Sequence, residues 1–371
     1  MSIPAALGVA LLYALAWRAC GDARWAAAVA ACGALGTPLW PYATVLFGHA
    51  TAAALLLGGF AAARAIRDGS PRPVALAAAA GGALAMAVVT EYPTGPVAAL
   101  LGAYLLLALR PLPRAVAGRA VLAAAAVGAL PIAALLAYNA AAFGSPFSLG
   151  YAHIAGPEFV EVHAQGLLGV GLPRGDRLVW LTVHPARGLF AQAPVLIAGL
   201  AGLWPMWRRG WRLEVAVILG ALAMLLAIAA GFPVWWGGRS FGARHLVPAV
   251  LLACVPIAFL GLVGRRVALA LLAASIVQMA IPTLVGPTTR FDDAPLARSL
   301  AEAGTLPWRG SSPIWNEGWA ALRAGELRAS LGTQAGLPRT VFLGALAVSV
   351  AGLFAFAARA RREPPGARPT G

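Results

Sequence analysis

Long apolar runs alternate with short polar connections along almost the whole chain. Runs of roughly 20 apolar residues are long enough to cross a bilayer core of about 30 Å as helices. The pattern predicts eleven spans, at about 3–18, 25–41, 45–63, 73–90, 95–109, 120–141, 190–206, 213–230, 246–263, 267–285 and 341–358. We therefore predict an all-α polytopic membrane protein with a single transmembrane domain over residues 1–358.

The composition supports this class and excludes others. Of the residues, 60% are hydrophobic and 11% are charged, whereas soluble domains carry about a quarter charged residues. The chain has no lysine, which excludes a Walker A loop and a Schiff-base lysine. Cys20, Cys32 and Cys254 have no metal-like spacing, so we expect them to be inert small hydrophobic residues.

The arginine residues predict the topology. They fall in alternate connections, which the positive-inside rule assigns to the cytoplasm. These clusters are Arg18 and Arg24; Arg64, Arg67 and Arg72; Arg110, Arg114 and Arg119; Arg208, Arg209 and Arg212; Arg265 and Arg266; and Arg359, Arg361, Arg362 and Arg368. We expect an N-terminus outside, a disordered cytoplasmic tail over 359–371, and long outer loops at about 143–189 and 286–340. Because the arginines lie in short clusters between spans, they argue against nucleic-acid binding. We expect a multi-pass protein of the cytoplasmic membrane.

Five polar clusters rich in proline and glycine lie on the expected outer side. They cover residues 37–50, 90–96, 138–153, 184–194 and 232–248. Irregular backbone at membrane depth is tolerated only beside protein or a watery cavity. The clusters predict a polar cavity that opens outward, although ordinary helix ends attract the same residues.

Arginine in these outer clusters is not needed for topology, and it suggests an anion site. Arg187, Arg239 and Arg244 could bind a phosphate through paired N–H groups, or could instead extend to lipid headgroups. Trp235 and Trp236 could contact substrate, although an interfacial aromatic belt explains them as well.

Acid–base chemistry would come from Glu91, at the end of the fourth predicted span. This carboxylate could act as a general base or bind a sugar hydroxyl, or it could be an interfacial glutamate paired with an arginine. His49, Tyr42 and Asn139 complete the predicted substrate-binding set, although a lone helix histidine is more often a packing residue.

Two other kinds of site receive less support. Asp292 and Asp293 are adjacent carboxylates, but a cation site needs further ligands, so we predict no bound metal and leave a divalent-cation requirement open. The residues of a hydrolase triad could come from Ser148, His153, His163 and His184. No nucleophile-elbow motif surrounds any serine, so a hydrolase is not favoured.

The outer clusters, in their order, resemble a bacterial branch of the GT-C membrane glycosyltransferases, related to protein mannosyltransferases and aminoarabinose transferases. The motifs that carry the resemblance are GTPLWPYATVLFGHA, EYPTGP, YNAAAFGSPFSLGY, RGLFAQAPVLIAGLAGL and WWGGRSFGARHLVP. The resemblance implies a multi-helix fold with an outward-facing active site. It also implies transfer of a sugar from a polyprenyl-phosphate carrier to a lipid, glycan or protein acceptor, with Arg244, Arg187 or Arg239 holding the carrier phosphate.

One feature departs from that family. The family places its characteristic acidic residue in the first outer loop, whereas the first connection here, RACGDAR, is expected to be cytoplasmic and Asp22 is a poor substitute. The first predicted span resembles the family's second helix. We expect either a start codon placed too far downstream or an incomplete, non-catalytic relative.

A transporter or flippase of lipid-linked glycans is the alternative function. Transporters often contain inverted repeats with helices broken near the membrane midplane. Here the predicted breaks lie toward one face and no repeat is evident, which favours the transferase. A scaffold subunit of an envelope assembly is the third possibility.

Overall fold

A computed structural model describes residues 1–153, 169–238, 240–288 and 312–328, together with six isolated positions beyond 335. The first half of the chain forms α1 (Ser2–Cys20), α2 (Ala23–Leu35), α3 (Leu39–Ala43), α4 (His49–Arg67), α5 (Pro73–Thr90), α6 (Gly95–Leu109) and α7 (Arg114–Phe143). The second half forms α8 (Gly175–Thr182), α9 (Leu189–Gln192), α10 (Val195–Arg208), α11 (Arg212–Gly231), α12 (Val250–Cys254), α13 (Leu262–Val285) and α14 (Trp319–Arg323).

The predicted class, an all-α membrane protein, is confirmed. Among the described residues, 7 helices are long and apolar enough to cross a membrane: α1, α4, α5, α6 with the turn before it, α7, α11 and α13. Shorter apolar helices cover Ala23–Leu35, Val195–Arg208 and Arg244–Phe259. The count of eleven spans and the sidedness of the loops stay predictions. Most of the span 341–358 and all of the tail 359–371 lie outside the described residues.

Proline explains why two predicted spans are not continuous helices. The second, 25–41, ends as α2 at Leu35 and resumes as the short α3. The ninth, 246–263, consists of a 3-10 helix at Arg244–Ala249, then α12, then a 3-10 helix at Val255–Phe259. Pro248 and Pro256 lie inside these 3-10 segments, and proline lacks the N–H that an α-helical ladder needs.

Helix α4 is the centre of the bundle. In its most apolar window 67% of the residues are buried. It packs against α1, α5, α6 and the 3-10 helix at Arg244–Ala249. It begins at His49, on the expected outer side, and its last turn carries Arg64 and Arg67, on the expected inner side.

Small residues allow the closest helix contacts. A Cβ added at Gly81 of α5 would lie 2.1 Å from the Ala124 carbonyl oxygen of α7, and one at Gly199 of α10 would lie 2.2 Å from the Ala253 carbonyl oxygen. Backbones that approach this closely gain van der Waals contact, which stabilises helix pairs in a membrane. The Ala- and Gly-rich runs therefore pack closely at these positions.

A buried ionic network joins the ends of α4, α6 and α11 that are expected to face inward. The Oε1 atom of Glu214, whose side chain is fully buried, accepts hydrogen bonds from Arg64 Nη1 at 2.9 Å and from the Tyr104 hydroxyl at 2.7 Å. Arg67 Nε lies 3.1 Å from the same oxygen. Arg64 also pairs with Asp68 and lies 3.8 Å over the ring of Trp211. Three helices are thereby tied to one carboxylate.

Asp22 has a structural role at the same expected inner side. Its carboxylate accepts hydrogen bonds from the Arg24 and Trp25 N–H groups, which caps α2, and it pairs with Arg265 at 2.7 Å. The side chain therefore joins the α1–α2 turn to α13.

Candidate functional site

The site lies where the start of α4 meets the turn between α5 and α6. His49 is the first residue of α4, and Glu91 follows the last residue of α5. The His49 Nδ1 atom lies 2.8 Å from Glu91 Oε1, within ion-pair distance but without the alignment of a hydrogen bond. A Cβ on Gly48 would lie 2.9 Å from the same carboxylate oxygen, so glycine allows this close approach.

Aromatic rings surround the imidazole of His49. The ring centroid of Tyr42 lies 5.4 Å away, that of Phe47 5.7 Å and that of His245 6.3 Å. The Tyr42 hydroxyl donates a 2.5 Å hydrogen bond to the Phe241 carbonyl oxygen, so α3 is fixed to the loop before the 3-10 helix at Arg244–Ala249. His49 therefore has a defined position beside the carboxylate.

Arg244 brings a positive charge to the same place. Its guanidinium lies 5.6 Å over the ring of Phe47. Among the described residues it forms no ion pair, and its Nε has no hydrogen-bond partner. A Cβ on Gly237, which has a φ of 85°, would lie 3.0 Å from Arg244 Cγ. The side chain is thus held against the loop by contacts that leave its charge uncompensated there.

Arg187 is buried behind that loop. Its guanidinium donates to the Ser240 carbonyl oxygen and, at 3.4 Å, to the Gly238 carbonyl oxygen. Burial lowers the pKa of Arg187 to about 10, which still leaves it charged at neutral pH. The charge of Glu317, from the segment Ile314–Gly318, lies near it. Arg187 therefore supports the backbone that carries Arg244.

Tyr151 lies within electrostatic range of the carboxylate. Its ring contacts that of Tyr92 edge-on, with centroids 5.5 Å apart. Burial raises the pKa of Tyr151 to about 12, and the negative charge of Glu91 contributes in the same direction, while Arg244 opposes it. Tyr151, Glu91 and Arg244 are thus close enough to influence one another, which defines the candidate site.

The other predicted substrate-binding residues do not all join it. Asn139 is buried and donates a 3.3 Å hydrogen bond to the Pro146 carbonyl oxygen, which holds the turn after α7. Trp235 is buried and stacks on Trp180 with centroids 4.9 Å apart, so it faces protein rather than a lipid belt. Trp236 contacts Trp235 edge-on. Arg239 lies outside the described residues.

The remaining candidates fall into two groups. Ser148 Oγ lies 2.8 Å from His153 Nε2, but the pair is exposed, and the imidazole stacks on Phe143. His184 is buried and accepts from the Ala186 N–H, so it stabilises the turn before Arg187. His163, Asp292 and Asp293 lie outside the described residues. In the part of the chain that the structure describes, no group of three or more His, Cys, Asp and Glu residues could hold a metal ion.

Sequence reasoning missed four contributors to the site: Phe47, Tyr151, His245 and Glu317. Phe47 and His245 adjoin residues that were singled out, and both lie in polar clusters that break predicted spans. Their proximity to His49 and Arg244 arises from the packing of separate helices. No spacing within one segment of the chain contains that information.

The site combines a carboxylate in contact with an imidazole, a nearby guanidinium and a partial aromatic enclosure. Such a set can accept a proton from a hydroxyl and stabilise negative charge on a departing oxyanion.

Comparison of the chain with protein-family models, with curated proteins and with solved structures finds no match.

Proposed function

We propose that the protein transfers a sugar from a polyprenyl-phosphate carrier to an acceptor at the outer face of the cytoplasmic membrane. The observation that carries this proposal is the contact between Glu91 and His49 beside the uncompensated charge of Arg244. Glycosyl transfer from a lipid phosphate needs a base for the acceptor hydroxyl and a cation for the phosphate that leaves. Both groups belong to one site in a membrane-embedded fold.

Each residue then has a defined task. Glu91 accepts the proton of the acceptor hydroxyl as the oxygen attacks the anomeric carbon. The bond from that carbon to the phosphate oxygen breaks, and its electron pair stays on the phosphate. Arg244 stabilises this charge, since a guanidinium binds phosphate through two N–H groups. His49 positions the carboxylate, and Arg187 positions the loop that carries Arg244.

The test uses purified full-length protein, a polyprenyl-phosphate-linked hexose or pentose panel and an extracted lipid acceptor fraction. Glu91→Gln removes the base with little change of shape, and general-base groups contribute roughly 10²- to 10⁴-fold. We expect a rate loss in that range. Asp176→Asn is the matched control, because Asp176 forms a partly exposed ion pair with Arg174 and has no described contact with Glu91. It should keep the wild-type rate within about twofold, as isolated surface ion pairs contribute little.

Arg244→Gln tests the phosphate contact separately. We expect weaker donor binding and slower transfer, whereas the exposed Arg174→Gln should behave as wild type. If the wild-type protein transfers sugar and both Glu91→Gln and Arg244→Gln keep full activity, this site does not take part in the reaction. Wild-type protein that transfers no sugar but moves the carrier lipid across liposomes would replace the proposal with transport.

A further inference from the structure

The turn between α10 and α11 carries a second set of arginine and aromatic residues, at the opposite end of the bundle. Arg208 lies 5.7 Å over the ring of Trp204, and Arg212 lies 5.8 Å over that of Trp207. Arg209 lies 5.7 Å over the ring of Phe259. All three arginines are exposed.

These charges lack a carboxylate partner among the described residues. The acidic residue nearest in sequence is Glu214, which is buried and already engages Arg64 and Arg67. A cation held over an aromatic face keeps its N–H groups at the ring edge, where they can donate to another molecule. The turn therefore presents oriented donors and unbalanced positive charge.

The surroundings of the turn are apolar and exposed. Trp204 is 66% exposed and Trp207 is 40% exposed. Ile197 and Leu200, further back along α10, are exposed as well. The spacing of these residues places Ile197, Leu200 and Trp204 on one face of the helix. In a membrane protein such a face contacts acyl chains, and tryptophan at its end is typical of the headgroup boundary.

An apolar groove runs beside the same face. It is a small depression that lies between Leu196, Leu200 and Leu203 of α10, Ile218 and Leu222 of α11, and Pro256. Leu203 directly precedes Trp204, so the groove ends close to the arginines. The floor of the groove is formed by close backbone contacts, such as that of Gly199 with the Ala253 carbonyl oxygen.

We propose that the α10–α11 turn and the exposed apolar face of α10 bind an anionic phospholipid. Arg208 and Arg212 hold the headgroup phosphate, Trp204 and Trp207 lie at the ester level, and one acyl chain lies along the exposed face of α10. The uncompensated charge favours an anionic over a zwitterionic headgroup. The exposed apolar face favours a lipid over free phosphate. This site is independent of the reaction proposed at the other end of the bundle.

The experiment titrates purified full-length protein with phosphatidylglycerol or phosphatidylcholine in native mass spectrometry. Basic residues near a membrane contribute about fivefold each to anionic-lipid affinity. We expect wild-type protein to prefer phosphatidylglycerol, and Arg208→Gln with Arg212→Gln to weaken that binding by about 25-fold. Arg110→Gln with Arg114→Gln removes the same charge from the exposed α6–α7 turn, where no aromatic contact of these two arginines is described. This control should change binding by less than about threefold, which is below the contribution of a single such arginine.

Three results would overturn the proposal. Equal losses in the two double variants would indicate general surface charge, and no loss in either would indicate no site. Inorganic phosphate or undecaprenyl phosphate that competes better than phosphatidylglycerol would assign the arginines to another ligand. If the double variant cannot be purified, Arg212→Gln alone should show a loss of about fivefold.

Discussion

The two ends of α4 both hold a carboxylate in contact with basic groups, yet their environments differ. At the end expected to face inward, Glu214 is 0% exposed and its Oε1 contacts two guanidinium groups and a tyrosine hydroxyl. At the end expected to face outward, Glu91 is 17% exposed and touches one imidazole. Arg244 is near Glu91 but forms no ion pair within the described residues.

This difference in environment suits Glu214 to a structural role and Glu91 to a role in a reaction. A carboxylate that is buried and already contacted by several donors is not accessible to a substrate. A carboxylate with one weakly aligned partner and partial exposure keeps capacity for a further contact. One helix thus carries a closed network that fixes the bundle and an open site that is suited to a reaction.

Removal of each carboxylate should affect stability to a very different extent. Glu214→Ala leaves Arg64 and Arg67 without their shared partner, and breaking a buried ion pair costs about 3–5 kcal/mol. Thermal unfolding in detergent, followed by circular dichroism, should show a large decrease of the midpoint for Glu214→Ala. Glu91→Ala should shift it far less, because its loss leaves no buried guanidinium unpaired. Equal shifts would mean that the two ends do not differ in this way.

Gly48 tests whether the outer carboxylate depends on a close backbone approach. In Gly48→Ala the new methyl group would meet the Thr90 carbonyl oxygen at 2.8 Å and Glu91 Oε1 at 2.9 Å. Overpacking of this kind costs about 1–3 kcal/mol, and displacement of Glu91 should also slow transfer. Gly58→Ala is the control on the same helix, since its Cβ would meet only Ala83 Cβ at 3.9 Å. It should be neutral or stabilising; a harmful Gly58→Ala would point to α4 packing instead.

The sequence predicts the inner end better than the outer one. Apolar run length indicates where α4 lies, and arginine clustering indicates that Arg64 and Arg67 end it. Glu91, His49 and Arg244 were each predicted as candidates, but their proximity was not, because it requires the packing of α4, α5 and a proline-broken segment. The role of Arg187 also could not be predicted. Its carbonyl partners come from a glycine-containing loop whose backbone path has no local sequence signature.

His49 should affect the reaction more than the fold. His49→Gln keeps a polar side chain but loses the imidazole contact with Glu91, and we expect a roughly tenfold loss of transfer rate, equivalent to about 1.4 kcal/mol. Residues that act as a unit are non-additive. In the Glu91→Gln background, His49→Gln should therefore cause little further loss of transfer rate. The pH–rate profile of the single variant His49→Gln should differ from that of wild type. Additive losses in the double variant would show that His49 acts independently of Glu91.

The smallest effect is expected at Asp22, a carboxylate that is paired at the inner side but partly exposed. Burial alone would raise the pKa of Asp22, but hydrogen bonds from the Trp25 N–H and Arg265 outweigh it and lower the pKa. A depressed pKa means that the stabilisation is present above the ordinary aspartate range and is lost as the pH falls through the folded-state value. Because the Asp22–Arg265 pair is exposed to solvent, Asp22→Asn should cost less than about 1 kcal/mol at neutral pH. Unfolding midpoints of wild type and Asp22→Asn should converge toward acidic pH. A loss as large as that of Glu214→Ala would show that partial exposure does not weaken an ion pair at this end of the bundle.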